Sequence, residues 1–146
     1  MTGVQTCALP IWLWRLPPAA KLQLVEAWLE LLYARAALRL RPFGWLRERV
    51  TGGEGGETPD ATDEVRARRL ARVVAIAGRN HFACMTCLHR SLALQRMLTR
   101  RGIDARVRIG WRRAEDVLQG HAWLECGGAV INDASEAVAR YVPARL

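Results

Sequence analysis

The sequence predicts an α+β fold in which helices come first and a small antiparallel sheet follows. Apolar residues recur at helical spacing through most of the first hundred positions. Residues 105–111 then alternate strictly between apolar and polar, and Gly127 and Gly128 separate two short runs that suit strands. The 146 residues fit one compact unit, and a hydrophobic fraction of 51% can supply its core.

The first helix is predicted over residues 17–41, where Pro17 and Pro18 suit its start. Glutamates in its first half and arginines in its second complement the helix dipole, which favours a soluble helix. A helix lying on a membrane surface is the alternative, because the segment is rich in Leu and Trp. The side chains predicted to face the core are Leu22, Val25, Trp28, Leu29, Leu32 and Ala36.

Composition divides the chain into four segments. Residues 1–11 fit no element and resemble translated adapter sequence, so they and Cys7 receive no role. A helical segment is expected over 12–50 and a glycine-rich flexible linker over 51–59. A compact domain is expected over 60–146.

Two further helices are predicted in that domain. The first is capped by Asp60 or Thr62 and ends at Gly78, with an apolar face of Val65, Leu70, Val73, Val74 and Ala77. The second is capped by Thr86, runs over 87–101 and stops at Gly102. Its buried side is expected to hold Leu88, Leu92, Leu94, Met97 and Leu98.

Three strands complete the prediction. Strand 105–111 is expected to bury Ala105, Val107, Ile109 and Trp111 on one face. Strands 121–126 and 129–133 are expected to form a hairpin around the two glycines.

Cys87 stands where the last long helix begins, and the dipole at that end favours a thiolate. It is therefore a candidate nucleophile. The competing interpretation is a small buried apolar residue, which is how free cysteines are commonly used.

A thiolate nucleophile needs a base and a group that orients the base. His89 points roughly 200° around the helix from Cys87, so it is excluded, and His81 is interpreted as a polar surface residue in a loop. His121 and Asp133 remain, provided that they share a face of the hairpin. A three-residue loop, 126–128, places them opposite each other, whereas a two-residue turn would make the pair impossible.

The cysteines and histidines could instead form a redox or zinc site, and the positive charge could serve nucleic-acid binding. Cys84 and Cys87 form a Cys-x-x-Cys pair, but a redox motif lacks its preceding strand here. A zinc site could add His89, His121 or Cys126, although no second paired motif is present. The formal charge of +8 favours acidic partners, yet the arginines are scattered, so nucleic-acid binding is not expected.

The stretch CLHRSLALQRMLTRRGIDARVRIGWRR, followed by GHAWLECGGAVINDASE, resembles the protease of lasso-peptide biosynthesis. It is similar to the stand-alone leader peptidase and to the C-terminal domain of the microcin-maturation protease. The matching motifs are Cys-Leu-x-Arg-Ser-Leu-Ala-Leu at 87–94, Arg-Arg-Gly-Ile at 100–103, His-Ala-Trp at 121–123 and Asn-Asp at 132–133. This resemblance implies a transglutaminase-like, papain-like fold.

The resemblance also implies a function and partners. Cys87 would attack the bond at the end of the leader, His121 would act as base and acid, and Asp133 would orient His121. No cofactor is implied. The expected partners are the precursor peptide, a separate leader-recognition protein and a cyclase resembling asparagine synthetase, in the cytoplasm. The alternatives are another acyl transfer, giving amidation or crosslinking, and a non-catalytic zinc or binding module.

Overall fold

Helices form the first part of the described chain and a sheet the second, which confirms the predicted α+β order. A computed structural model describes residues 15–51 and 59–144. The predictions for residues 1–11, for Cys7 and for positions 52–58 of the linker lie outside these residues. The helices are α1 (Pro18–Leu40), α2 (Phe43–Thr51), α3 (Ala61–Arg79), α4 (Cys87–Thr99) and a single-turn α5 (Ser135–Val138).

The sheet has four antiparallel strands in the order β3-β2-β1-β4. They are β1 (Arg106–Ala114), β2 (Val117–Cys126), β3 (Ala129–Val130) and β4 (Val142–Pro143). Both β1 and β2 are longer than predicted, because Glu115 and Asp116 form a tight turn between them with φ of 46° and 63°. Left-handed turns of this kind usually carry Asn or Gly, so Glu115 and Asp116 did not predict a hairpin.

The core lies between the helices and the inner face of the sheet. Helix α1 packs against α3 and α4, and α4 packs against β2. The largest fully buried aliphatic side chains come from all these elements: Leu31, Val74, Leu94, Leu98, Val107 and Leu124. Since α1 contributes to the same cluster as β2, the first helix takes part in holding the sheet that carries the site.

The predicted core face of α1 is wrong. Leu22, Val25 and Leu29 are more than half exposed, and the buried positions are Ala27, Glu30, Leu31, Ala34 and Ala37. Alanines allow close approach of neighbouring helices, and the approach distance depends on the side chains at the contact. Glu30 is buried because arginines from the α4 region neutralise it. None of the helices in the described ranges combines the length and hydropathy needed to cross a membrane.

Candidate active site

Cys87 is the first residue of α4, as predicted, and it is half-buried. Thr86 caps the helix: its hydroxyl oxygen accepts from the His89 N–H at 3.5 Å, and its own N–H donates to His89 Nδ1 at 3.0 Å. His89 is thus occupied by the cap. The reciprocal pair of hydrogen bonds closes the first turn and fixes the position of Cys87 at the start of α4.

His121 and Asp133 are in direct contact. His121 Nε2 lies 2.5 Å from Asp133 Oδ2, and the other carboxylate oxygen accepts from the Ala134 N–H at 2.8 Å. The imidazole lies beside the rings of Tyr141 and Trp123, with centroids 5.1 Å and 6.2 Å away. Both oxygens of Asp133 therefore have partners, and the carboxylate can hold His121 in one orientation.

The turn that precedes this pair differs from the prediction. Cys126 pairs with Ala129, so Gly127 and Gly128 alone form the turn, with φ of 57° and 84°. The three-residue loop was wrong. A ladder continued in this register would bring Asp133 opposite Ala122 and onto the wrong face. Strand β3 ends at Val130, however, and the chain bends before Asp133, which lets the two side chains meet.

Asn132 makes the bend possible. Its Oδ1 accepts from the Leu124 N–H at 2.8 Å, so a side chain replaces the backbone partner that the ladder would supply. Its Nδ2 donates to Ser91 Oγ at 3.0 Å, and Ser91 donates to the Ala122 carbonyl at 3.3 Å. Ser91 is fully buried, one turn after Cys87. This chain of bonds links α4 to the strand residues beside His121 and Asp133.

Sequence reasoning did not assign roles to Ser91 or Asn132. A signal was present, because Ser91 lies among Leu88, Leu92 and Leu94 on the predicted buried side of α4. A polar residue there must find a hydrogen-bond partner when it is buried.

One cavity of about 190 Å³ brings the predicted residues together. Cys87, His121 and Asp133 all line it, with Arg90 and Asn132 beside them. Among the hydrogen bonds of the described residues, none joins Cys87 to His121. Such contacts are often long without substrate and tighten when the substrate binds. The three groups can therefore act on one bound molecule.

Gly110 pairs with His121 across β1 and β2. An added Cβ would lie 2.8 Å from the Trp123 ring and 3.0 Å from Tyr141 Cβ. A glycine at this position therefore leaves room for the Trp123 ring and the Tyr141 side chain beside His121. Trp123 is itself fixed by a 2.9 Å hydrogen bond from its indole N–H to Glu125.

The residues of the alternative zinc and redox sites are spread out. Cys84 is exposed, and its carbonyl accepts from Arg35 at 3.0 Å. Cys126 is buried, and burial raises the pKa of its thiol. In residues 15–51 and 59–144, no group of three metal-binding side chains comes together. His81 was predicted to be a surface residue, but it is half-buried and stacks on Trp28 at 4.5 Å.

Comparison with known proteins agrees with this architecture. The chain is 50% identical over 48 residues to the microcin J25-processing protein McjB of Escherichia coli. That match covers 33% of this chain and 22% of McjB, so it spans about a fifth of the relative's length. No solved structure gives a significant match. The family model for the transglutaminase-like superfamily matches residues 30–145, from the middle of α1 to the end of the sheet, and the chain therefore belongs to this superfamily.

Proposed function

We propose that this chain is a cysteine peptidase that removes the leader from a lasso-peptide precursor. Cys87 is the nucleophile, His121 the general base and acid, and Asp133 the group that orients His121. The observation that carries the proposal is the shared cavity, in which a cysteine at a helix start faces a hydrogen-bonded histidine–aspartate pair.

The proposed chemistry uses both ring nitrogens of His121. Asp133 engages Nε2, so Nδ1 is the nitrogen that takes the proton from the Cys87 thiol. The sulfur then bonds to the scissile carbonyl carbon. Collapse of the tetrahedral intermediate breaks the C–N bond, and His121 returns its proton to the leaving amine. Water attacks the remaining thioester, which frees the leader's carboxylate and restores the thiol.

Charge develops on the carbonyl oxygen during this reaction. Cys87 opens α4, and the N–H groups of a first helical turn have no partners within the helix. The Cys87 N–H is the proposed first donor to the oxyanion, assisted by the dipole of α4.

The biological setting is proposed from the relatives. The name of McjB describes a protein that processes microcin J25. By extension, this chain would act on a ribosomally made precursor, with a separate leader-recognition protein. A cyclase resembling asparagine synthetase would then close the ring on the freed amine. The cytoplasm is the proposed compartment, since it keeps a catalytic thiol reduced.

The test combines the purified chain, its precursor peptide and the leader-recognition protein, and it follows the peptide by mass spectrometry. We expect cleavage at a single bond that is lost in Cys87→Ala. The matched control is Cys84→Ala, which removes the neighbouring exposed thiol and should leave cleavage unchanged. Reaction in ¹⁸O-labelled water should place the label in the leader's new carboxylate.

Two results would contradict the proposal. Cleavage that persists in Cys87→Ala would show that Cys87 is not the nucleophile. A product in which an amine, rather than water, resolves the thioester would replace hydrolysis with acyl transfer.

A further inference from the structure

Arg90 lines the cavity and has no carboxylate partner in the part of the chain that the structure describes. It lies three residues after Cys87 and so on the same side of α4. Among the described residues, no carboxylate oxygen lies within 4 Å of its guanidinium, and its side chain donates no hydrogen bond. Other arginines of the same region are neutralised: Arg96 and Arg100 pair with Glu30 at 2.6 Å, and Arg101 pairs with Glu26 at 2.7 Å.

The only carboxylate on the described cavity wall is already engaged. Asp133 binds His121 through one oxygen and the Ala134 N–H through the other. The cavity thus contains a half-buried cation that no carboxylate of residues 15–51 and 59–144 neutralises. A carboxylate suits a guanidinium especially well, because the two can form parallel charge-assisted hydrogen bonds.

Neighbouring residues fix the path of Arg90. Its aliphatic stem crosses α3 over Gly78, where an added Cβ would lie 3.3 Å from Arg90 Cδ and 3.5 Å from Cγ. Ala71, Val74 and Ala75 of α3 give the cavity an apolar wall next to the stem. The sequence predicted that Gly78 ends the helix, yet α3 continues to Arg79. The glycine instead provides space for the arginine.

We propose that Arg90 binds a carboxylate of the substrate, so that the cavity is a subsite for an acidic residue flanking the cleaved bond. This inference rests on the proposed function for its biological meaning. Its central contact, between Arg90 and an anion beside Cys87, can be measured without any cleavage.

The measurement is a competition between iodoacetate and iodoacetamide for Cys87. The two reagents are similar in size, and each alkylates a thiolate with loss of iodide, but only iodoacetate carries a carboxylate. Mass spectrometry with fragmentation gives the ratio of the two products at each cysteine. Cys84 is exposed and outside the cavity, so its ratio reports the attraction of anions to the surface of a chain of charge +8, including the nearby Arg35, which binds the Cys84 carbonyl.

We expect the iodoacetate preference at Cys87 to exceed that at Cys84 by about fivefold or more, as for a hydrogen bond to a charged group. Arg90→Gln should reduce the Cys87 ratio to the Cys84 value, and Arg90→Lys should retain part of it. Arg72→Gln, an equal loss of charge at an exposed α3 position outside the cavity, should change neither ratio.

A second variant removes no charge. Gly78→Ala should lower the Cys87 preference by displacing the Arg90 stem, while thermal stability stays equal or rises, since alanine favours helix over glycine.

Equal ratios at Cys87 and Cys84, or an unchanged Cys87 ratio in Arg90→Gln, would overturn the acidic subsite. If leader cleavage succeeds while the ratios are equal, the peptidase stands and the subsite is wrong. If cleavage fails while the preference holds, the anion site stands without the peptidase. A Cys87 that reacts with neither reagent would contradict both.

Discussion

Asn132 decides where Asp133 lies. The hairpin register set by Gly127 and Gly128 would direct Asp133 away from His121 if the ladder continued. The Asn132 side chain satisfies the Leu124 N–H in place of a backbone carbonyl, so the main chain can leave the strand without leaving that donor unpaired. The same amide reaches Ser91 on α4 and ties the bend to the helix that carries Cys87.

Asn132→Ala should therefore damage catalysis more than binding. Removing the amide leaves the Leu124 N–H without its acceptor and the buried Ser91 oxygen without its donor, which should lower the free energy of unfolding by about 2–4 kcal/mol. Asp133 loses its placement, so kcat for leader cleavage should fall while KM changes little. Urea unfolding and steady-state kinetics measure the two effects.

Ser91→Ala is the matched control, because Asn132 keeps its bond to Leu124 in that variant. Ser91→Ala should lower the free energy of unfolding by about 1 kcal/mol and retain most of the wild-type kcat. An Asn132→Ala enzyme with wild-type kcat would show that Asp133 does not depend on this bend.

The spacing of apolar residues was enough to predict that Cys87 begins a helix and that His121 lies in a strand. The contact of Asp133 with His121 could not be derived in the same way. Strand alternation predicts side-chain faces only while the ladder lasts, and here a side chain replaces the ladder after two residues of β3. The predicted three-residue loop was wrong, although His121 and Asp133 do meet.

The start of α4 carries a titratable cap. His89 accepts the Thr86 N–H through Nδ1, which requires that nitrogen to be unprotonated. Burial, together with the charges of Arg35 and Arg39, lowers the pKa of His89 below its ordinary value of 6.5. Unfolding returns the ordinary pKa, so the unfolded chain binds protons more readily than the folded one.

Stability should consequently fall as the solution becomes more acidic. The contribution of His89 is fully present above the unfolded pKa of 6.5 and is lost as pH falls through the lower folded pKa. His89→Gln keeps an acceptor at the same capping position but does not titrate, so it should lose less stability than wild type between about pH 7.5 and about pH 5. Urea unfolding at several pH values measures this. Burial also lowers the pKa of His81, so the part of the pH-dependent loss of stability that His81 causes should persist in His89→Gln.

An equal loss of stability in both proteins would show that the cap does not titrate.

Helix α4 itself was accurately predicted, since Thr86 and Gly102 are strong local signals. The core face of α1 was not. Apolar residues at helical spacing indicated one side, but the packed side is defined by alanines and by a glutamate whose arginine partners are about seventy positions away.

Glu30 joins the first helix to the α4 region. It is 4% exposed and accepts from Arg96 Nε at 2.6 Å, while the Arg96 guanidinium lies 3.9 Å above the Tyr33 ring. Leu31 enters the same core cluster as Leu94 and Leu124. We therefore expect segment 12–50 and domain 60–146 to unfold together.

Glu30→Gln should lower the free energy of unfolding by about 1–3 kcal/mol, because two arginines lose a charged acceptor. Glu64→Gln is the control: its pair with Arg68 is exposed and four residues away on one helix, so it should cost about 0.5 kcal/mol or less. Far-ultraviolet circular dichroism and tryptophan fluorescence should report one transition. Two separate transitions would show that the first helix is an independent unit.

We propose that His121 and Asp133 act on Cys87 as one catalytic unit. The most direct measurement is the rate of leader cleavage by His121→Ala, by Asp133→Ala and by the double variant, with all proteins shown to be folded. Each single change should slow cleavage by about 10²-fold or more, and the double variant should be no slower than His121→Ala, since groups that act together do not add. A His121→Ala enzyme that cleaves at the wild-type rate, or a double variant that shows the full product of both losses, would contradict it.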